Sequence, residues 1–236
     1  MTKQTQAQYA DQTFTPLERS AIAWLDGFYS LEHLLATRNW AIRLAGMASP
    51  ALKFAALVHD AERFFPGGPS SMPSNGFDNP DYLFAHSTRS ADIVEEWLKG
   101  EESERPEGFD RRVRALIQRH EIGGNHEEDI LQAADSLSFL QVFDWLVVHW
   151  VRAGHYTIPE VQEKLDWTVA RIRVPAAVRA ALPIYTKTTR QLQAAHDDAL
   201  DVADRRTYAS SALRLAGVES QRRRSFGTQR AMEAKR

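Results

Sequence analysis

Residues 49–64 read SPALKFAALVHDAERF, and this stretch decides the fold class. Ser49 followed by Pro50 is a helix start: a serine hydroxyl caps a free amide, and proline costs nothing at the first helical position. The apolar positions Leu52, Ala55, Ala56 and Val58 then recur near helical spacing towards Phe64. The same grammar repeats on both sides. Thr15-Pro16-Leu17-Glu18 reads as N-cap, proline and capping-box glutamate, with a helix following through Ala23, Trp24 and Phe28. Ser30 is the expected cap of the next helix, which carries Leu34, Leu35, Trp40 and Leu44. Asn79-Pro80 opens another that reaches Leu98. Further helices are expected over 110–120, 129–151, 159–171 and 175–192, continuing in some form to residue 216. Alternating runs of Val, Ile and Thr are absent, which leaves no strand pattern. The expected fold class is all-α.

The remaining composition narrows the function classes. The chain has 236 residues, a length suited to one compact domain with an appendage. It has no cysteine, which excludes disulfide scaffolds, zinc ribbons, iron–sulfur clusters and cysteine nucleophiles. A formal charge of −2 argues against a nucleic-acid binder whose whole body is basic. The polar start MTKQTQAQYADQTF lacks the apolar core of a secretory signal, and Asp144 and His149 interrupt the most apolar stretch, Val142 to Val151. A cytoplasmic protein without a membrane span is therefore expected. Four segments follow: a polar N-terminal segment 1–14, a helical core 15–145, accessory C-terminal helices 146–216 and a basic tail 217–236. In the tail, six Lys and Arg stand against Glu219 and Glu233, which reads as a flexible, solvated end. Pro66 to Pro80, PGGPSSMPSNGFDNP, is the clearest loop and the natural candidate for a substrate lid.

Eight histidines are present, and five of the helices carry a His or Asp in apolar company. They are His33, the adjacent His59-Asp60, His86, His120 and Asp135. Asp60 follows Phe54-Ala-Ala-Leu-Val-His, and Asp135 sits within Leu131-Gln-Ala-Ala-Asp-Ser-Leu. A carboxylate buried beside apolar residues is costly unless it is paired or bound to a cation. Imidazoles and carboxylates converging inside a helical bundle are a common basis for a divalent metal site. A second His-Asp pair, His196-Asp197, has no apolar lead and no downstream His and Asp partners, and reads as a solvated helix face. His126 falls in the polar turn Gly123 to Glu128, and His149, beside Trp145 and Trp150, reads as a core histidine.

The order His33, His59-Asp60, Asp135 resembles the HD-domain superfamily of metal-dependent phosphohydrolases, and the extra His86 and His120 resemble its subset with a two-metal site. The resemblance covers residues 30–140 and extends to local context: the apolar lead into His59-Asp60, the segment His86-Ser-Thr-Arg-Ser-Ala-Asp-Ile, and Ile130-Leu-Gln-Ala-Ala-Asp. It implies a single helical-bundle domain of the HD type with additional C-terminal helices. It also implies that Asp60 bridges two ions, one held by His33, His59 and Asp135 and the other by His86 and His120. Alternatively, those last two histidines contact substrate phosphate. Ala61-Glu62-Arg63 departs from the Ile-Gly-Lys that follows the pair in cyclic-di-GMP phosphodiesterases of the superfamily, which speaks against that substrate.

Imidazole and carboxylate ligands suit one or two ions of Fe, Mn, Co or Ni, and Zn also fits. Such ions acidify a water for attack on phosphorus, with Asp60 at the metals and Glu62 as a candidate proton shuttle. Arg63 and Arg89, three residues after His86, are candidates to grip phosphate, with surface ion pairing as the other reading. The function expected is hydrolysis of a nucleotide or related small phosphate ester. Two alternatives use the same ligands: an HD-type diiron oxygenase acting on a small polyol or phosphonate, and a metal-stabilised, non-catalytic binding module. The expected partner is a small phosphorylated substrate, with no membrane or specific nucleic acid; a homodimer is compatible.

Overall fold

The structure is a computed structural model that describes residues 13–69 and 76–197. Among the described residues there are nine α-helices and no strand. In chain order they are α1 (Pro16–Trp24), α2 (Leu31–Ala45), α3 (Pro50–Val58), α4 (Pro80–Lys99), α5 (Phe109–Arg119), α6 (His126–Val142), α7 (Asp144–Arg152), α8 (Ile158–Ala170) and α9 (Pro175–Asp197), with a 3-10 turn over Ala61–Phe64. The all-α expectation is met. Among the described residues no helix is long and apolar enough to cross a membrane. The N-terminal segment up to residue 12, part of the expected lid loop (70–75) and everything from 198 onward, including the basic tail, lie outside the described residues.

The capping signals work as local chemistry dictates. Thr15 Oγ1 accepts from the Glu18 amide while the Glu18 carboxylate accepts from the Thr15 amide at 2.8 Å. Ser49 and Asn79 cap α3 and α4, each followed by proline. Ser30 makes no side-chain cap, because its backbone is not in the extended conformation that aims the hydroxyl at the helix amides.

Two apolar clusters hold the bundle, and α6 belongs to both. Ile130, Leu131 and Ala134 join the cluster of α1 to α5, around Leu34, Leu52, Phe54 and Leu116. Ala133, Leu137 and Leu140 join Val147, Val161, Leu165 and Leu192 from α7 to α9. Each fully buried leucine contributes about 2 kcal/mol through area removed from water. α2 packs along α6 as its main neighbour, bringing His33 beside Asp135.

Two expected helices are divided. The predicted 129–151 helix starts earlier, at His126, on an Asn125–Glu128 capping box, and breaks at Phe143. There the backbone leaves the helix (φ −106, ψ 20), and the Phe143 ring lies 5.1 Å from His33 and 5.7 Å from Phe139. The break turns α7 onto the second cluster. The other division falls at His59-Asp60, within the proposed site.

Candidate metal centre

A continuous helix would point neighbouring residues about 100° apart, so His59 and Asp60 could not both face one pocket. Ser90 on α4 prevents that continuation. Its hydroxyl donates to the His59 carbonyl and accepts from the Glu62 amide at 3.3 Å, taking two backbone groups that a longer α3 would use. Asp60 accordingly leaves helical geometry (φ −103, ψ 16), and the 3-10 turn follows. Ser90→Ala is expected to cost about 1–3 kcal/mol, because it orphans both buried groups. It should also weaken metal binding; an unchanged denaturation midpoint would show that the turn holds without the hydroxyl.

The six expected ligands come together from six different places: α2, the end of α3, the turn after it, α4, the end of α5 and α6. His33, His59, His86 and His120 are buried, and their rings form a chain with centroids 5.3, 4.9 and 5.3 Å apart through His59 and His120. Asp135 Oδ1 lies 3.2 Å from His33 Nε2 and 3.3 Å from His59 Nε2. Asp60 Oδ1 lies 2.9 Å from His86 Nε2. Three groups could each hold a metal ion: His33, His59 and Asp135; His59, Asp60 and His120; and His86, His120 and Glu121.

The imidazoles are oriented as ligands. His59 Nδ1 and His120 Nδ1 lie 3.1 and 2.7 Å from the carbonyls of Ala56 and Ile117, which can only accept, so Nδ1 carries the proton and Nε2 the inward lone pair. At His33, the Ser138 hydroxyl donates to the His33 carbonyl and accepts from Nδ1, both at 2.8 Å. His59 Nε2 is fully buried and makes no hydrogen bond. Burial holds His120 down to about 4, so it is neutral at ordinary pH. His59 and His86 differ. Burial favours their neutral forms, but at His59 the facing Asp135 outweighs it, and at His86 the bonds to Asp60 and Glu62 raise the group to about 9. Burial likewise opposes ionisation of Asp60 and Asp135. At Asp60 it is overcome chiefly by the bond from His86, and at Asp135 by the facing His33 and His59 imidazoles together with Arg171, so both stay well below the usual carboxylate range. Protons and a cation therefore compete for these atoms, and metal uptake releases protons.

The pocket over these ligands, about 110 Å³, is also lined by Arg63, Tyr82, Glu121, Lys164 and Arg171. Glu121, Tyr82, Lys164 and Arg171 were not among the expected residues. Glu121 had a signal, since His120-Glu121 repeats the His-acid neighbour pattern of His59-Asp60. Arg171 donates to Asp135 Oδ2 at 2.7 Å and also to Glu121. Burial opposes the charge on Glu121, but Arg171 outweighs it and holds the group to about 2.

The remaining expected residues divide. Arg63 lines the pocket, with Nε 3.8 Å from Asp60 and 3.5 Å from Glu62, and donates to the Tyr82 hydroxyl. Glu62 is buried behind His86, accepting from Nδ1 at 2.9 Å. The backbone at Gly68 closes over it: a Cβ there would lie 1.7 Å from Glu62 Oε1, so any other residue would push the Glu62 carboxylate aside. Arg89 does not line the pocket, because its guanidinium turns to the carbonyl of Pro66. His126 is exposed, as expected, but opens α6; His149 is buried. The His196-Asp197 pair ends α9, with side chains outside the described part.

No family model, curated protein or solved structure matches the chain.

Proposed function

We propose that the protein is a metal-dependent phosphohydrolase of the HD type, acting on a nucleotide or related small phosphate ester. The observation that carries this reading is the joining of three ligand groups through shared His59 and His120, beneath a pocket with cationic side chains on its wall. His33, His59, Asp60 and Asp135 would hold one divalent ion, and His86, His120 and Glu121 a second, beside Asp60. Bound there, the metal supplies Lewis acidity and a water of lowered pKa.

The chain's own residues do the rest. Four carboxylates, Asp60, Glu62, Glu121 and Asp135, stand against Arg63, Lys164 and Arg171, a balance that suits added positive charge. Arg63 and Lys164 face the phosphoryl oxygens. Tyr82, pushed up to about 12 by burial, keeps its proton and can donate it to an oxygen of the ester. Glu62 positions His86 from behind. In the reaction a water oxygen joins phosphorus, the ester P–O bond breaks, and the alcohol leaves with a proton.

Metal analysis of protein purified without chelator, followed by phosphate release from a panel of esters under strictly anaerobic conditions, tests this. More than one divalent ion is expected to restore the apoprotein, because hydrolysis needs no change of oxidation state. Activity confined to iron with O₂ would replace this reading with the oxygenase.

A further inference from the structure

A second cavity, larger than the metal pocket, adjoins it. It measures about 890 Å³, runs along α8, and shares Phe77 and Lys164 with the metal pocket. Its apolar walls are the rings of Phe77, Tyr156 and Trp167, and its rim carries Glu160, Glu163 and Asp166. Lys164 stands at the junction. Its ammonium sits over three rings, 5.0 Å from Phe77, 5.2 Å from Phe139 and 4.5 Å from Trp167.

Among the charged groups of the junction, Lys164 differs in one respect. Arg63 lies against Asp60 and Glu62, and Arg171 is bonded to Glu121 and Asp135. No carboxylate pairs with Lys164 among the described residues. Among the described residues it is also the only Lys or Arg lining the large cavity. A cation held over rings, with its charge uncommitted, is suited to receive an anion.

We propose that the α8 cavity holds the leaving-group half of a phosphate monoester, a flat ring system without negative charge such as a nucleoside, and that Lys164 binds the single phosphate where the two chambers meet. This rests on the hydrolase reading and adds the substrate class to it. Aromatic rings in the cavity wall offer faces on which a flat ring can stack. The acidic rim repels a second phosphate and favours a neutral or cationic group carrying hydrogen-bond donors. On the cavity side of the junction Lys164 faces only acidic rim residues, so a nucleoside monophosphate fits and a triphosphate does not. The volume lies within the range of pockets that enclose a ligand of that size.

The test uses the full chain loaded with Mn²⁺, with adenosine monophosphate, ribose 5-phosphate and adenosine triphosphate as probes. Phosphate release gives kcat/KM for each, and equilibrium dialysis reads adenosine monophosphate binding independently of turnover. The monophosphate is expected to exceed ribose 5-phosphate by about tenfold or more in kcat/KM, the worth of a stacked ring, and to exceed the triphosphate. Lys164→Met should loosen monophosphate binding by about tenfold with bound Mn²⁺ unchanged. Tyr156→Leu should shrink the ratio of monophosphate to ribose 5-phosphate. Equal use of the two monoesters, preference for the triphosphate, no binding of the monophosphate, or wild-type affinity in Lys164→Met each overturns the proposal. Loss of Mn²⁺ from Lys164→Met also overturns it, by assigning the lysine to the metal site. Lys164-dependent binding without phosphate release from any ester leaves this proposal standing and removes the hydrolase reading.

Discussion

Asp60→Ala is expected to strip the protein of bound metal and to abolish phosphate release together. Asp60 lies in the central ligand group with His59 and His120, and its Oδ1 also meets His86. Removing it deletes the one carboxylate placed between the two ends of the histidine chain. Loss of a second-sphere partner alone weakens metal affinity by about 10- to 100-fold, so loss of this direct ligand should exceed the upper figure. Turnover should fall on the order of a thousandfold, as when a main electrostatic stabiliser is removed from an active site. The Asp60 side chain is only partly buried and lies outside both apolar clusters, so circular dichroism should stay helical. His196→Ala, in the other His-Asp pair, is the control and should change neither property. Equal loss in the two variants would falsify the assignment of His59-Asp60.

Arg171→Met should produce the second large effect, and its size should depend on metal. The guanidinium neutralises Asp135 and Glu121 and donates to Ser136 Oγ at 3.0 Å, while lying over the Trp167 ring at 4.3 Å. Methionine keeps much of the contact with Trp167 but leaves two buried carboxylates without their counter-charge. Breaking a buried pair in this way costs about 3–5 kcal/mol. A divalent ion at His33, His59 and Asp135 restores positive charge to one of those carboxylates. Denaturant unfolding with chelator should therefore show the full loss, and unfolding in saturating Mn²⁺ a clearly smaller one. The same loss in both conditions would mean that Arg171 acts on packing alone, with no cation beside Asp135.

The parts of this arrangement that were legible in the sequence are those that local chemistry controls. Proline after a capping residue marked the starts of α1, α3 and α4, and an apolar lead marked His59-Asp60 and Asp135 as inward-facing. The break at Phe143 left no such mark, because apolar residues recur at helical spacing across 129–151 and the turn answers to His33, over a hundred residues earlier. Helical spacing alone placed Arg89 on the face of His86. In the structure Tyr82, four residues before His86, occupies the pocket wall, and the Pro66 carbonyl takes Arg89. Arg171 reaches Glu121 across 50 positions, a pairing that tertiary packing creates and no short motif encodes. The acid beside His120 could have been recognised, since it repeats the pattern of a histidine followed at once by a carboxylate.

The bond between Ser138 and His33 spans 105 positions, and it bears on how the protein is made. During synthesis His33 emerges early, with the His59-Asp60 pair soon after, but the hydroxyl that fixes the His33 tautomer follows only when α6 is complete. Arg171 comes later still. A nascent chain on the ribosome thus carries most of the ligand side chains long before it has the arrangement that orients them. Closing such distant contacts is the slow part of folding, so the ordered histidine cluster is a property of the finished domain, whereas helices such as α3 can form from their own caps as soon as they are released.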